Sequence, residues 1–203
     1  MNGDLALLER RIAVVAFLGK IRGGRTMKFT FETEYNQKAL SVMAKCIRKT
    51  ARAKHSKRSH IFGWIVIALA LLLSFSSGDE GFIITFKTVI TWVAATAMLI
   101  VLLFEDKING FFARKRMLKG TEKAVATFDT EIPDMFVSQT EVGKSEFNYD
   151  KIAMIAETER YFVFVFSASH AQVYDKNSLS GGTINAFREF IIQKTEKTVV
   201  KVV

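Results

Sequence analysis

Residues 61–104 read "IFGWIVIALALLLSFSSGDEGFIITFKTVITWVAATAMLIVLLF", and the fold turns on whether this stretch crosses a membrane or forms two core helices. From Ile61 to Phe75 there is no charge, only apolar residues with one glycine, one tryptophan and one serine. From Phe82 to Phe104 a second run of 23 residues is interrupted only by Lys87 and a few threonines. A helix rises about 1.5 Å per residue and a bilayer core is about 30 Å thick, so about 20 residues are needed to span it. The second run meets that length. The first reaches 17 residues when carried through Ser76 and Ser77, enough if flanking lysines and arginines snorkel. Two core helices of a soluble protein would also be apolar. Two such runs back to back, with only "SGDEG" at Ser77–Gly81 between them, favour a transmembrane hairpin of residues 61–77 and 82–104. A signal peptide does not fit a run that starts near residue 61 and lacks a small-residue cleavage site.

Working outward, the charge is uneven. The 203-residue chain is 49% hydrophobic with a mean hydropathy of +0.17 and a net charge of +9, more apolar than a soluble domain of its size. Residues 27–60 carry nine basic and two acidic side chains, residues 105–119 five and two, and residues 120–203 nine and twelve. The basicity is therefore juxtamembrane. Lysine and arginine are retained on the cytoplasmic side, which puts both termini in the cytoplasm and the Asp79–Glu80 loop outside. Arg52, Lys54, Lys57 and Arg58 before the hairpin, with Arg114, Lys115, Arg116 and Lys119 after it, are the candidate contacts to anionic lipid headgroups, at about 1 kcal/mol each near the surface. Nucleic acid is a poor partner for the same run: Arg48–His60 holds no aromatic residue beyond two histidines, and the C-terminal part is net acidic.

Ahead of the hairpin, "KFTFETEY" at Lys28–Tyr35 alternates strictly, with Phe29, Phe31, Thr33 and Tyr35 on one face, the pattern of a half-buried strand. Residues 36–53 follow helical spacing, with Leu40, Met43, Ala44, Ile47 and Ala51 forming an apolar stripe among lysines and arginines. That helix can lie in the headgroup plane or pack on the cytosolic domain. Residues 105–119 read as a basic linker. Beyond Gly120 the period changes to two, and six short strands are predicted at 127–132, 135–140, 146–149, 151–158, 161–167 and 171–174. "YFVFVF" at Tyr161–Phe166 is apolar on both faces, as in a central strand covered on both sides. Thr183 is placed to cap a final helix through about Lys194, with Ile184, Phe187, Phe190 and Ile191 as its stripe. A meander closed by one amphipathic helix is the layout of a pleckstrin-homology-like half-barrel. The first strand needs a sheet, and the only one available starts after residue 120, so the hairpin is expected as an insertion within an α+β half-barrel.

With "FTFETEYNQKAL" near the start, a basic segment leading into the hairpin, and the tail "FNYDKIAMIAETERYFVFVFSASHAQVYDKNSL…AFREFI", the chain resembles the YcxB-like membrane proteins of bacteria over about residues 27 to 194. Such tails carry an aromatic before the strand holding Ile152, a glutamate near Glu157, an aromatic strand, a lysine near Lys176 and a phenylalanine in the last helix, here Phe187. Asp175 stands where a proline is common. The resemblance implies a small protein of the bacterial cell membrane with a cytosolic domain, and it brings no catalytic assignment. It also begins at Met27, just after "GGR" at Gly23–Arg25, where a purine-rich ribosome-binding site would decode as Gly-Gly. Residues 1–26 are thus expected to be leader; an amphipathic N-terminal helix through Leu5, Leu8, Ile12 and Val15 is the alternative.

No enzyme or cofactor is expected. His55 and His60 lie in the basic run and His170 in a hairpin turn, so no metal-ligand spacing is visible. Cys46 is alone, which excludes an intrachain disulfide. "GKS" at Gly143–Ser145 ends like a phosphate-binding loop but lacks the earlier glycine, since position 138 is Ser138, and a strand follows it. Two function classes remain: a membrane-anchored cytosolic module that recognises a protein, peptide or lipid headgroup, or an accessory subunit of a transport or export complex whose hairpin packs on other helices through Ala94, Ala95 and Ala97.

Overall fold

A computed structural model describes residues 27–75 and 86–202. The expected leader, the Ser77–Gly81 loop and the side chain of Lys87 lie outside the described residues.

The first strand, β1 (Lys28–Glu34), pairs antiparallel with β2 (Lys123–Asp129), with Phe29 opposite Phe128 and Phe31 opposite Ala126. Its alternation is met in burial: Phe29, Phe31 and Thr33 are buried and the residues between them are not. β3 (Met135–Thr140) and β4 (Lys144–Asn148) continue this sheet in the order β1-β2-β3-β4, all antiparallel. β5 (Met154–Glu157), β6 (Tyr161–Val165) and β7 (Ala171–Asp175) form an antiparallel second sheet. A last strand, β8 (Val199–Lys201), pairs with β5 in parallel, giving the order β7-β6-β5-β8. The second sheet is therefore mixed rather than purely antiparallel, because the crossover through the C-terminal helix returns the chain in the direction of β5. The expected strand at 127–132 starts four residues earlier and ends at Asp129, and that at 151–158 is shortened by a 3₁₀ turn at Tyr149–Lys151.

The two sheets are stitched at one corner. Thr30 and Ser180 exchange backbone hydrogen bonds of 3.0 and 2.9 Å, and the Asp175 amide donates to Thr33 Oγ1. Gly181 sits at φ 86, and a Cβ there would fall 1.8 Å from the Lys28 carbonyl oxygen, so this seam requires glycine. Between the sheets lies an aromatic core of Phe29, Phe31, Phe128, Phe136, Phe162, Phe164 and Tyr174. The C-terminal helix, residues Ile184–Thr195, closes it. Thr183 Oγ1 accepts from the Ala186 amide as the N-cap, and Phe187 reaches the core, with ring centroids 4.6 Å from Phe31 and 5.0 Å from Phe128.

Three helices intervene between β1 and β2: α1 (Gln37–Lys49), α2 (Ala53–Phe75) and α3 (Phe86–Arg116), so the C-terminal helix is α4. α1 packs on the second sheet. Its Ala39, Cys46 and Ile47 meet Tyr161, Val163, Val165 and Val173, which leaves β6 buried on both faces. Of the two placements open to this helix, the one against the domain is adopted. α2 and α3 run antiparallel: His60 lies beside Glu105, and one turn on Gly63 faces Leu102 so closely that a Cβ would come within 2.8 Å of it.

Among the described residues only α3 is long and apolar enough to cross a membrane. The described apolar part of α2 ends at Phe75, giving 15 residues, about 22 Å of helix against a core of about 30 Å. Ser76 and Ser77, needed to extend it, lie outside the described residues. The two-span hairpin is thus reduced to one candidate span. α3 is kinked at Phe104 (φ −111, ψ 17), where its polar half begins to pack on α1. At Gly110 that packing brings the helices into backbone contact, since a Cβ would lie 2.8 Å from the Ser41 amide nitrogen.

Candidate functional site at the root of the helical pair

The antiparallel register sets which charges share an end. Extending the His60–Glu105 and Gly63–Leu102 neighbours backwards places Lys57 level with residue 108 and Lys54 with residue 111, so Arg114–Arg116 stand about one turn further from the apolar stretch. Arg52, Lys54, Lys57 and Arg58, with Arg114, Lys115, Arg116 and Lys119, therefore gather at one end of the helical pair. All eight side chains are exposed. None joins an ion pair among the described residues. They form a solvated collar, of which Arg52 borders a cavity of about 510 Å³ together with Arg48, His55 and Glu105.

The charges between the collar and the apolar stretch behave differently. Arg48 of α1 donates two hydrogen bonds to Asp106 of α3, 2.7 Å from Nε and 2.6 Å from Nη2, a bidentate fork that raises the guanidinium pKa further. Glu105 lies 3.8 Å from Arg48 and 2.9 Å from His60 Nε2. Asp106, Arg48, Glu105 and His60 thereby tie three helices together directly below the kink. Their signal in the sequence was an acidic pair placed between an apolar run and a basic one. The pairing of His60 with Glu105 is not visible in sequence spacing, since the two are 45 residues apart.

A second network sits in the sandwich. Glu157 is buried at the end of β5, with Lys176 Nζ at 2.5 Å and the Arg188 guanidinium at 2.7 and 2.9 Å. The Arg188 hydrogen bonds, aided by Lys176, hold its carboxyl at about 2. The glutamate and lysine of the family pattern are thus partners, and Arg188, which that pattern did not single out, locks α4 to them. Asp175 serves the adjoining turn by accepting from the Asn177 amide and from Arg160, so the turn forms without proline.

The remaining candidates are structural. Cys46 is fully buried and burial pushes its thiol up to about 11. Gly143 closes the hairpin turn, its carbonyl accepting from the Thr140 amide, and Lys144 opens β4 and pairs with Glu146. His170 lies in an exposed turn beside Phe147 and Phe166. Among the described residues no group of three or more His, Cys, Asp or Glu side chains is placed to hold a metal ion. The model of the family described as YcxB-like protein matches residues 133–191, from just ahead of β3 to Ile191 in α4. That stretch carries Glu157, Lys176, Phe187 and Arg188 and agrees with the resemblance read from the sequence; β1 and the helical pair lie outside it. No curated protein and no solved structure matches the chain.

Proposed function

We propose that this protein is a bacterial membrane-anchored binding module: residues 61–77 and 82–104 form a two-span hairpin, and a PH-like domain on the cytoplasmic side recognises a protein, peptide or lipid at the bilayer surface. One observation carries the anchor. Fifteen large apolar side chains are exposed along Ile61–Leu72 of α2 and Val89–Phe104 of α3, and no residue from Thr88 to Phe104 is buried. So continuous an apolar surface on both helices is incompatible with water. The alternation of two sheets closed by α4 supports the PH-like reading, and in such domains recognition uses loops and an open sheet edge, here β4, without catalytic side chains.

Topology tests it. In a Cys46→Ala background, Ser77→Cys should react with an impermeant maleimide in intact cells, and Arg52→Cys only after lysis. Release of the chain by alkaline carbonate, or labelling of Arg52→Cys from outside, would sink the reading.

A further inference from the structure

Beside the kink, an open groove of about 820 Å³ separates α1 from α3. Lys38 and Lys45 of α1, seven residues apart, project from one helix face into it, and Lys107 of α3 borders it on the other side. Its floor is Leu103 and Phe104, exposed at 63% and 45%. Lys107 Nζ lies 5.3 Å above the Phe104 ring, while Lys38 and Lys45 have no ion-pair partner among the described residues. The one acid on the wall, Asp106, is occupied on both oxygens by Arg48. The first turn of α1 borders the groove without an acidic residue, so the positive end of the helix adds to the lysines.

A cationic rim over an exposed apolar floor, at the kink where the apolar stretch of α3 ends, matches a ligand with a charged head and a hydrocarbon tail. A free phosphate would use the rim and leave the floor bare. We propose that the groove binds an anionic phospholipid, its phosphate held by Lys38, Lys45 and Lys107 and its acyl chains lying along Leu103 and Phe104. The site rests on the membrane-anchor reading but is distinct from the eight-residue collar, none of whose side chains lines this groove.

The test uses the full chain in nanodiscs of phosphatidylcholine, titrated with spin-labelled phosphatidylglycerol, the immobilised lipid fraction giving the apparent affinity. Removing the three charges with Lys38→Gln, Lys45→Gln and Lys107→Gln should weaken binding about a hundredfold. Removing the same charge at Arg114→Gln, Lys115→Gln and Arg116→Gln should change it only a few-fold. The matching triple Lys→Arg variant should retain binding, and Lys107→Gln alone, at an exposed position, should weaken it by about fivefold even if the triple variant misfolds. Equal loss in the two triple variants, or none in either, would overturn the site in favour of diffuse surface charge. Displacement of the lipid by inorganic phosphate would overturn it in favour of a soluble anion. Flotation with pure phosphatidylcholine vesicles separates the two readings: a chain that fails to float refutes the anchor, whereas one that floats without lipid preference refutes only the groove.

Discussion

At the scale of single residues, burial pushes the pKa of both Glu157 and Cys46 upward, and only the cationic partners of Glu157 reverse it. Glu157 is buried with two cations, and Arg188 foremost holds its carboxyl at about 2, well below its ordinary value of 4.5. Its folded pKa is depressed, so its contribution, about 3 kcal/mol, is present in full above about pH 4.5 and lost as pH falls toward 2. Glu157→Gln leaves Lys176 and Arg188 facing each other uncompensated and should cost about 3–5 kcal/mol at neutral pH. Thermal unfolding in detergent micelles across pH 2 to 7 checks both statements: the wild-type midpoint should drop on acidification and the variant's should be flatter. Cys46 has no ion partner, and burial, against the opposing pull of Lys45, raises its thiol to about 11. At neutral pH it should therefore stay unmodified by maleimide even after lysis, reacting only in denaturant. Intact mass before and after denaturation reads this directly, and modification of the native protein would show that α1 leaves the sheet. The natural cysteine is consequently mute about topology, which is why introduced cysteines are needed.

At the scale of elements, the parts legible in sequence are those whose two environments differ most. β1 was legible because its faces alternate between the core and solvent, and β6 because neither face meets water. The inward-facing Phe187 marked α4. β8 was not: three residues of "VVK" carry no periodicity, and their parallel pairing depends on where α4 ends, at Glu196 in the left-handed region (φ 55). The two faces of α1 were only half legible. Leu40, Met43 and Ile47 formed the visible stripe, whereas Ala39 and Cys46, small enough to look neutral, make the close contact with the sheet. The same applies to Gly110 and Gly63, whose role is to let another helix approach. The collar could be placed by charge alone, yet the lysine groove could not, because it needs Lys38 and Lys107 brought together from different helices. β1 supplies the element-scale prediction. Phe31 touches the rings of Phe128, Phe162, Tyr174 and Phe187, so Phe31→Ala should cost about 3–5 kcal/mol. A fragment of residues 120–203, lacking β1, should aggregate through the bared edge of β2, and restoring residues 27–36 through a flexible linker should recover cooperative unfolding. Equally sharp melting with and without the strand would show that β1 is dispensable to the sandwich.

At the scale of the whole molecule, the helical pair is an excursion from a domain whose first strand precedes it and whose other strands follow. Such an insertion is tolerated when its two ends meet, because the host then loses little loop-closure entropy. Here they do meet: His60 Nε2 and Glu105 Oε2 are 2.9 Å apart, and the polar half of α3 below them stays fixed to α1 through Arg48, Asp106 and the Gly110–Ser41 contact. The apolar stretch should therefore be removable across this pair without disturbing the sandwich. Replacing residues 61–104 by a linker of about four glycines and serines, enough to join two helix ends side by side, should give a protein that floats free of vesicles and unfolds cooperatively. The fifteen exposed apolar side chains above go with the deleted stretch, whereas the core that stabilises the sheets is untouched. Sedimentation with vesicles and a melting curve are the measurements. Retained membrane binding would locate the anchor in the collar instead. Insolubility with lost cooperativity would mean that the sheets depend on α2 and α3 for stability, so that anchor and domain are one folding unit.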